Sequence, residues 1–346
     1  MSSYIYYIDT LNAIEIVTEP LSLTKHSMTS VKEYVIINGG LDDSSMIHNA
    51  LFTYNTVTNI WRAYQPPGWV GFGMFCSSIC GIGNQVYVFG GIDFIDVYRH
   101  TNSVFSLNLI NGKWQNLFRR TENHDQNTPP PMKNSVMWYH NRRLYNFGGS
   151  LNNAGFENTI YKFCLKTSTW SKVRQIGSKP LIDRRIFGTI YKNQFYIFGA
   201  SLITGENKFT LVNVFDFSRN KWTTKETKSK TQQYPDDRTQ ESFAFSAHFG
   251  YLSGGNIPNT RTCYSDIWKM DLESLGWTKL DYTLKTAVRE HTTYVVKDCP
   301  LYSFGGVRPS SLRKNTLECF DVESDTLSRV CDGFGSRVSN NSGFIY

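Results

Sequence analysis

The chain has 346 residues, enough for two average domains or one large all-β domain. Aromatic residues make up 15% and charged residues 19%, which excludes an intrinsically disordered chain. The net charge of +7 is dispersed rather than gathered in Lys/Arg runs, and no apolar run reaches membrane-spanning length, so neither a nucleic-acid nor a membrane partner is expected.

The N-terminus, MSSYIYYIDT, lacks the basic and apolar regions of a secretory signal. Seven cysteines, an odd and scattered set, are expected to be reduced in an intracellular protein, cytoplasmic or nuclear. Cys76 and Cys80 are spaced C-x3-C, but no second pair at zinc-ligand spacing follows, so no metal or other cofactor is expected.

Along the chain one ending recurs: YVIINGG (34–40), QVYVFGG (85–91), RLYNFGG (143–149), QFYIFGA (194–200), GYLSGG (250–255) and PLYSFGG (300–306). The first glycines stand 51 to 58 residues apart. After each pair come a variable loop and a short alternating segment such as NALFTYNT or NSVFSLNL. A tryptophan (Trp61, Trp114, Trp170, Trp222, Trp277) then lies 21 to 23 residues beyond the second position of the pair, with Leu327 in that place in the sixth unit. A further β-rich segment precedes each glycine pair. Each unit therefore reads as four short antiparallel strands, a to d, with the glycines ending strand b. One such sheet cannot bury both faces, but a closed ring of them can.

A period near 50 with a glycine pair and a later tryptophan resembles the Kelch repeat. The resemblance covers nearly the whole chain and implies an all-β fold, a single Kelch β-propeller domain over residues 1–346 with six clear blades. Two closures are open. The segment YIYYIDTLNAIEIV (4–17) resembles strands c and d of another unit, and NNSGFIY (340–346) resembles a strand a; together they are slightly favoured as a split, incomplete seventh blade. The alternative is a six-bladed ring with extra edge strands.

The glycine pairs match neither G-x-G-x-x-G nor G-x-x-x-x-G-K-[ST], so they are not read as phosphate cradles, and no G-x-S-x-G occurs. The chain is accordingly not expected to be an enzyme. The rival class is a propeller enzyme with a metal or small-molecule site on the central channel.

Alternating strand direction puts the b–c loops and d–a connections on one face, and these are the long, variable segments. A basic residue precedes strand a in five units: Lys25, Lys133, Arg184 with Arg185, Arg238, and Arg289. They are expected to ring the channel mouth, where they either capture carboxylates or pin neighbouring loops. Loop residues that break the repeat are the other candidates: Trp69, Arg99, His100, Arg261, Tyr264, Arg308 and Arg313.

No BTB or F-box segment is read before the repeats, so the chain looks more like the stand-alone Kelch-domain-containing proteins. PPPMKNSVMWYHNRRLYNFGG (129–149) resembles the third blade of ubiquitin-ligase receptors that read C-terminal degrons. Those receptors carry an arginine pair after the fourth glycine pair, where this chain has FGASLITGENKF, and a helical cullin-adaptor box after the propeller, for which no helical pattern follows Cys331. TLSRVC (326–331) is read as strand d of the sixth blade. The sequence thus points to a protein-interaction module for a peptide or protein of acidic character. It is cast as a substrate receptor or scaffold for a cullin-type ubiquitin ligase acting through a separate adaptor.

Overall fold

The computed structural model describes residues 14–17, 19–70, 74–94, 98–121, 125–152, 155–200, 207–257, 259–260, 262–297 and 300–322. They form a six-bladed β-propeller. Blade 1 contains Ser27–Val31, Tyr34–Asn38, Leu51–Asn55 and Ile60–Tyr64 as strands a to d, each paired antiparallel to the next. Blade 2 runs from Ser78–Ile82 through Gln85–Phe89 and Val104–Asn108 to Trp114–Phe118. Blade 3 is Val136–His140, Arg143–Phe147, Tyr161–Cys164 and Thr169–Lys172; blade 4 is Phe187–Tyr191, Gln194–Phe198, Leu211–Asp216 and Lys221–Glu226. Blade 5 is Ser242–Phe245, Phe249–Ser253, Asp266–Asp271 and Gly276–Thr283. The described part of blade 6 is Thr292–Val295, Leu301–Phe304 and Leu317–Phe320, and the strand d expected at 326–331 lies outside the described residues.

The repeated residues explain the ring. In blades 1, 3 and 4 the tryptophan on strand d lies on the aromatic that ends strand b of the preceding blade. Trp170 meets Phe89 at 5.3 Å between ring centroids and Trp222 meets Phe147 at 5.2 Å. Each such contact buries a large flat surface at an interblade seam. The glycines follow directly, where the backbone must pass two other chain segments. A Cβ on Gly254 would lie 2.6 Å from His291 of the next blade, and one on Gly255 would lie 2.9 Å from Glu241 of its own. The first glycine is thus the passing point for the next blade and the second for its own, and both have positive φ.

The same contacts decide the closure. Trp61 of blade 1 lies 6.3 Å from Phe304 of blade 6, and Gly306 N donates to Leu23 O at 2.9 Å. Thr292 Oγ1 donates to His26 O at 3.3 Å, and one apolar cluster joins Leu23, Met28 and Val35 to Tyr302 and Phe304. Blades 6 and 1 therefore meet directly, leaving no gap for a seventh. This corrects the favoured split blade. Ile14–Val17 pairs antiparallel with Ile60–Tyr64 as a fifth strand outside blade 1, because the free edge of strand d there offers unpaired backbone groups. Residues 340–346 lie outside the described residues.

Candidate partner-binding face

All six a strands line the central channel, a cavity of about 130 Å³. Its wall carries many hydroxyls, and they tie strand to strand. Ser27 and Ser77 share a 3.1 Å hydrogen bond, Ser78 Oγ donates to Ser135 O at 2.7 Å, and Thr293 Oγ1 bonds Ser242 Oγ at 2.9 Å. The wall is therefore internally satisfied, and the distinctive chemistry lies at its rim.

The rim is built by the residue two before each strand a: Lys25, Cys76, Asn134, Arg185, Gln240 and Glu290. Five of these have φ between 56° and 59°; Arg185 is the exception. Their backbones bond from blade to blade. Cys76 N donates to Lys25 O at 2.8 Å, Asn134 N to Cys76 O at 2.8 Å, and Glu290 N to Gln240 O at 2.9 Å. The result is a collar of main chain with side chains projecting from it.

This register refines the expected basic ring. Only Lys25 and Arg185 occupy the collar. Lys133, Arg184 and Arg289 stand one residue earlier and Arg238 two earlier. Arg238 is fully buried. Its guanidinium forks onto Asp266 at 2.5 and 3.1 Å, donates to Gly254 O at 3.2 Å, and lies 3.7 Å from the Tyr264 ring centroid. Burial pushes the Asp266 carboxyl up, but the Arg238 fork outweighs it and holds the group below its usual range. Arg238 therefore acts as a pin, the second of the two roles left open. Arg184 pairs with Asp183 at 3.1 Å.

Arg185 differs from all of these. It is half-buried, its guanidinium lies 5.0 Å from the Phe187 ring centroid, and it makes no hydrogen bond or ion pair among the described residues. Burial pushes its pKa below the usual arginine value, against the attraction of Cys76, Glu241 and Glu290. Both carboxylates are already engaged. Glu241 holds the buried Lys208 at 2.7 Å, and Glu290 accepts the Gln240 amide at 2.8 Å.

The loop candidates divide. Arg99 is exposed on the short hairpin of Ile92–Phe94 and Tyr98–His100, whereas His100 is 7% exposed, and burial followed by the Lys133 charge lowers its pKa to about 4. Arg313 reaches from the b–c loop of blade 6 to Ser45 of blade 1 at 3.4 Å. Arg308 and Arg289 are half-buried beside it, their backbones joined through Val307 and Leu312. Tyr264 lies beneath Arg238, with its hydroxyl pKa raised by burial and by Asp236. Trp69 belongs to the 3-10 turn Gly68–Val70, and its side chain lies outside the described residues, as does Arg261. The structure thus gathers Arg289, Arg308 and Arg313 at one seam and sets Arg185 apart in the mouth. Sequence reading missed the collar members Cys76, Asn134, Gln240 and Glu290, and the buried Lys208. Counting back from the paired start of strand a would have found the collar; nothing local marks Lys208. Among the described residues no three His, Cys, Asp or Glu side chains gather as a metal-ligand set.

The KLHDC2/KLHL20/DRC7 Kelch-repeats domain model matches residues 25–255 and 188–343. The chain belongs to the Kelch-repeat family. Human Kelch domain-containing protein 10 is 24% identical over 290 residues, covering 82% of this chain and 64% of that protein. Human Kelch domain-containing protein 1 is 24% identical over 318 residues, covering 82% of this chain and 75% of its own length. Rat host cell factor 1 is 29% identical over 137 residues, which is 37% of this chain and 6% of that protein. The chain spans about two thirds of Kelch domain-containing protein 10, 69% for the rat protein. A Kelch propeller of this kind is a protein-interaction module.

Proposed function

We propose that this propeller binds an acidic peptide segment of a partner protein on its b–c/d–a face, with Arg185 as the central anchor. The single observation that carries this reading is the unpaired Arg185 guanidinium in a partly desolvated channel mouth. Its basic neighbours Arg184 and Arg238 are tied to carboxylates of the chain itself. A planar guanidinium of this kind accepts a carboxylate through two parallel hydrogen bonds, strengthened by the low-dielectric surroundings. The collar's other side chains surround the anchor, and the seam of Arg289, Arg308 and Arg313 extends the basic surface outward. Recruitment of substrates to a ubiquitin ligase through a separate adaptor is the cellular role we favour for it, on the resemblance to stand-alone Kelch receptors.

The test is an array of acidic and charge-neutral peptides, each with free and amidated C-termini, probed with the purified chain. Acidic peptides are expected to bind, and Arg185→Ala to weaken them about 30-fold or more. Equal binding of neutral and acidic peptides, or an Arg185→Ala profile like wild type, defeats the reading.

A further inference from the structure

The opposite face carries a second, different surface. There the c–d turns repeat one construction. Asn55, Asn108, Asp216 and Asp271 each accept the backbone N–H two residues on, at 2.8 to 2.9 Å. The residue so lifted stands at the turn tip: Val57, Ile110, Ser218 and Glu273, with Lys166 at the matching place in blade 3. From blade 3 to blade 5 the a–b turn of one blade touches the c–d turn of the next, and the tips of all these turns stand on this one face. The His140 and Phe217 rings are 4.8 Å apart, and Lys192 reaches Glu273 at 2.5 Å.

Two adjacent tips are aliphatic and protrude, Val57 being 70% and Ile110 72% exposed. The turns that follow around the ring are cationic: Lys113 in blade 2, Arg142, Arg143 and Lys166 in blade 3, Arg219 and Lys221 in blade 4. None of these six forms an ion pair with an Asp or Glu among the described residues, and Arg143 alone leans on the Cys164 thiol of its own blade. Of the acids beside them, Asp216 caps its own turn and Glu273 is held by Lys192.

We propose that this face docks peripherally on an anionic lipid bilayer, Val57 and Ile110 entering the headgroup boundary while the basic turns meet lipid phosphates. Surface binding of this sort scales with inserted apolar area and with cations facing the anionic leaflet. The occupant is argued from the combination. A nucleic acid would use the cations but has no place for two aliphatic tips, and would favour aromatic platforms. Peripheral docking needs no spanning segment, and no helix of the described residues is long and apolar enough to cross a membrane.

The experiment is co-sedimentation of the full chain with phosphatidylcholine vesicles and with vesicles containing about one third phosphatidylserine, at two salt concentrations. Binding is expected only to the anionic vesicles, and to weaken with salt. Arg142→Glu/Arg219→Glu should lower vesicle affinity at least about 25-fold, taking about fivefold per lost cation. Val57→Asp/Ile110→Asp should lower it about tenfold through lost insertion. Both variants alter exposed tips and should keep the wild-type melting temperature. Arg185→Ala should bind vesicles as wild type does. Absence of anionic-vesicle binding, or charge-reversed protein that still sediments normally, overturns the proposal. So does an aspartate variant with undiminished binding, which would assign the face to a purely charged partner such as a nucleic acid.

Discussion

His26 of the first blade stands edge-on against Phe304 of the sixth, with ring centroids 5.4 Å apart. The ring is shut by this packing together with backbone bonds between the two blades. His291 occupies the corresponding place in blade 6, packed on Gly254 and bonded to Ser253 Oγ at 2.9 Å. Two neutral imidazoles thus sit at consecutive seams.

Their titration makes the protein acid-sensitive. Burial and the Arg185 charge lower the His26 pKa to about 3; burial and the charges of Lys314, His26 and Arg185 lower that of His291 to about 3. In the unfolded chain both titrate near 6.5, so between these limits the unfolded state binds more protons. Stability is full above pH 6.5 and is lost as pH falls toward 3, by up to about 1.4 kcal/mol per pH unit for each histidine. Urea unfolding between pH 7 and 4.5 should show this slope, and His26→Asn/His291→Asn should flatten it. A profile that is level across that range refutes the assignment.

The glycine at the closing seam should tolerate nothing larger. A Cβ on Gly305 would lie 2.6 Å from His26 Cε1 and still closer to Leu23 O, at φ +70°. Gly305→Ala is expected to cost about 2–5 kcal/mol from backbone strain and overpacking. Gly68→Ala, with open space around the new methyl, should stay within about 0.5 kcal/mol of wild type. Thermal unfolding of the two variants makes the comparison.

Arg238 and Asp266 should behave as a coupled pair. Arg238→Met leaves a largely buried carboxylate without its fork and should destabilise by about 3–5 kcal/mol. The double variant with Asp266→Asn should recover part of that loss, giving a coupling of about 1 kcal/mol or more in a double-mutant cycle. Additive losses would remove Arg238 from its role as a pin.

Cys164 should be the fastest of the described cysteines to alkylate near neutral pH. It takes the turn-capping place held elsewhere by Asn55, Asn108, Asp216 and Asp271, and a thiolate can accept the same N–H groups. Bonds from the Thr167 hydroxyl and from the Thr167 and Lys166 backbone lower its pKa to about 6, whereas burial pushes Cys80 up to about 12. Iodoacetamide labelling read by mass spectrometry at pH 7 should find Cys164 first, and Thr167→Val should slow it. Equal labelling of Cys164 and Cys263 would contradict this.

The blades were legible because every copy needs the same few residues for the same local reasons. A glycine pair is required where three chain segments cross, and a tryptophan where two sheets meet. Closure was less legible. Ile14–Val17 has the alternation of a strand, and alternation does not say which edge a strand will join. The pairing was settled by the open flank of Ile60–Tyr64. The candidate face was legible in outline but not in detail. Arg238 and Arg185 look alike in sequence, yet one meets Asp266 and the other meets no acid, a difference set by residues distant along the chain. The tips Val57 and Ile110 were invisible as a surface, since each alone is an ordinary exposed side chain.

The collar of main-chain bonds through Lys25, Cys76, Asn134, Gln240 and Glu290 divides labour between backbone and side chain. Over these stretches the mouth keeps its shape through peptide groups, which most unbranched residues can supply at a positive φ. Its chemistry is written in side chains that, apart from the Gln240–Glu290 bond, carry little of that mechanical duty. Such a rim works like a type-holder whose letters can be exchanged. A change of charge, size or polarity at these positions would alter what the propeller reads and leave the propeller itself standing.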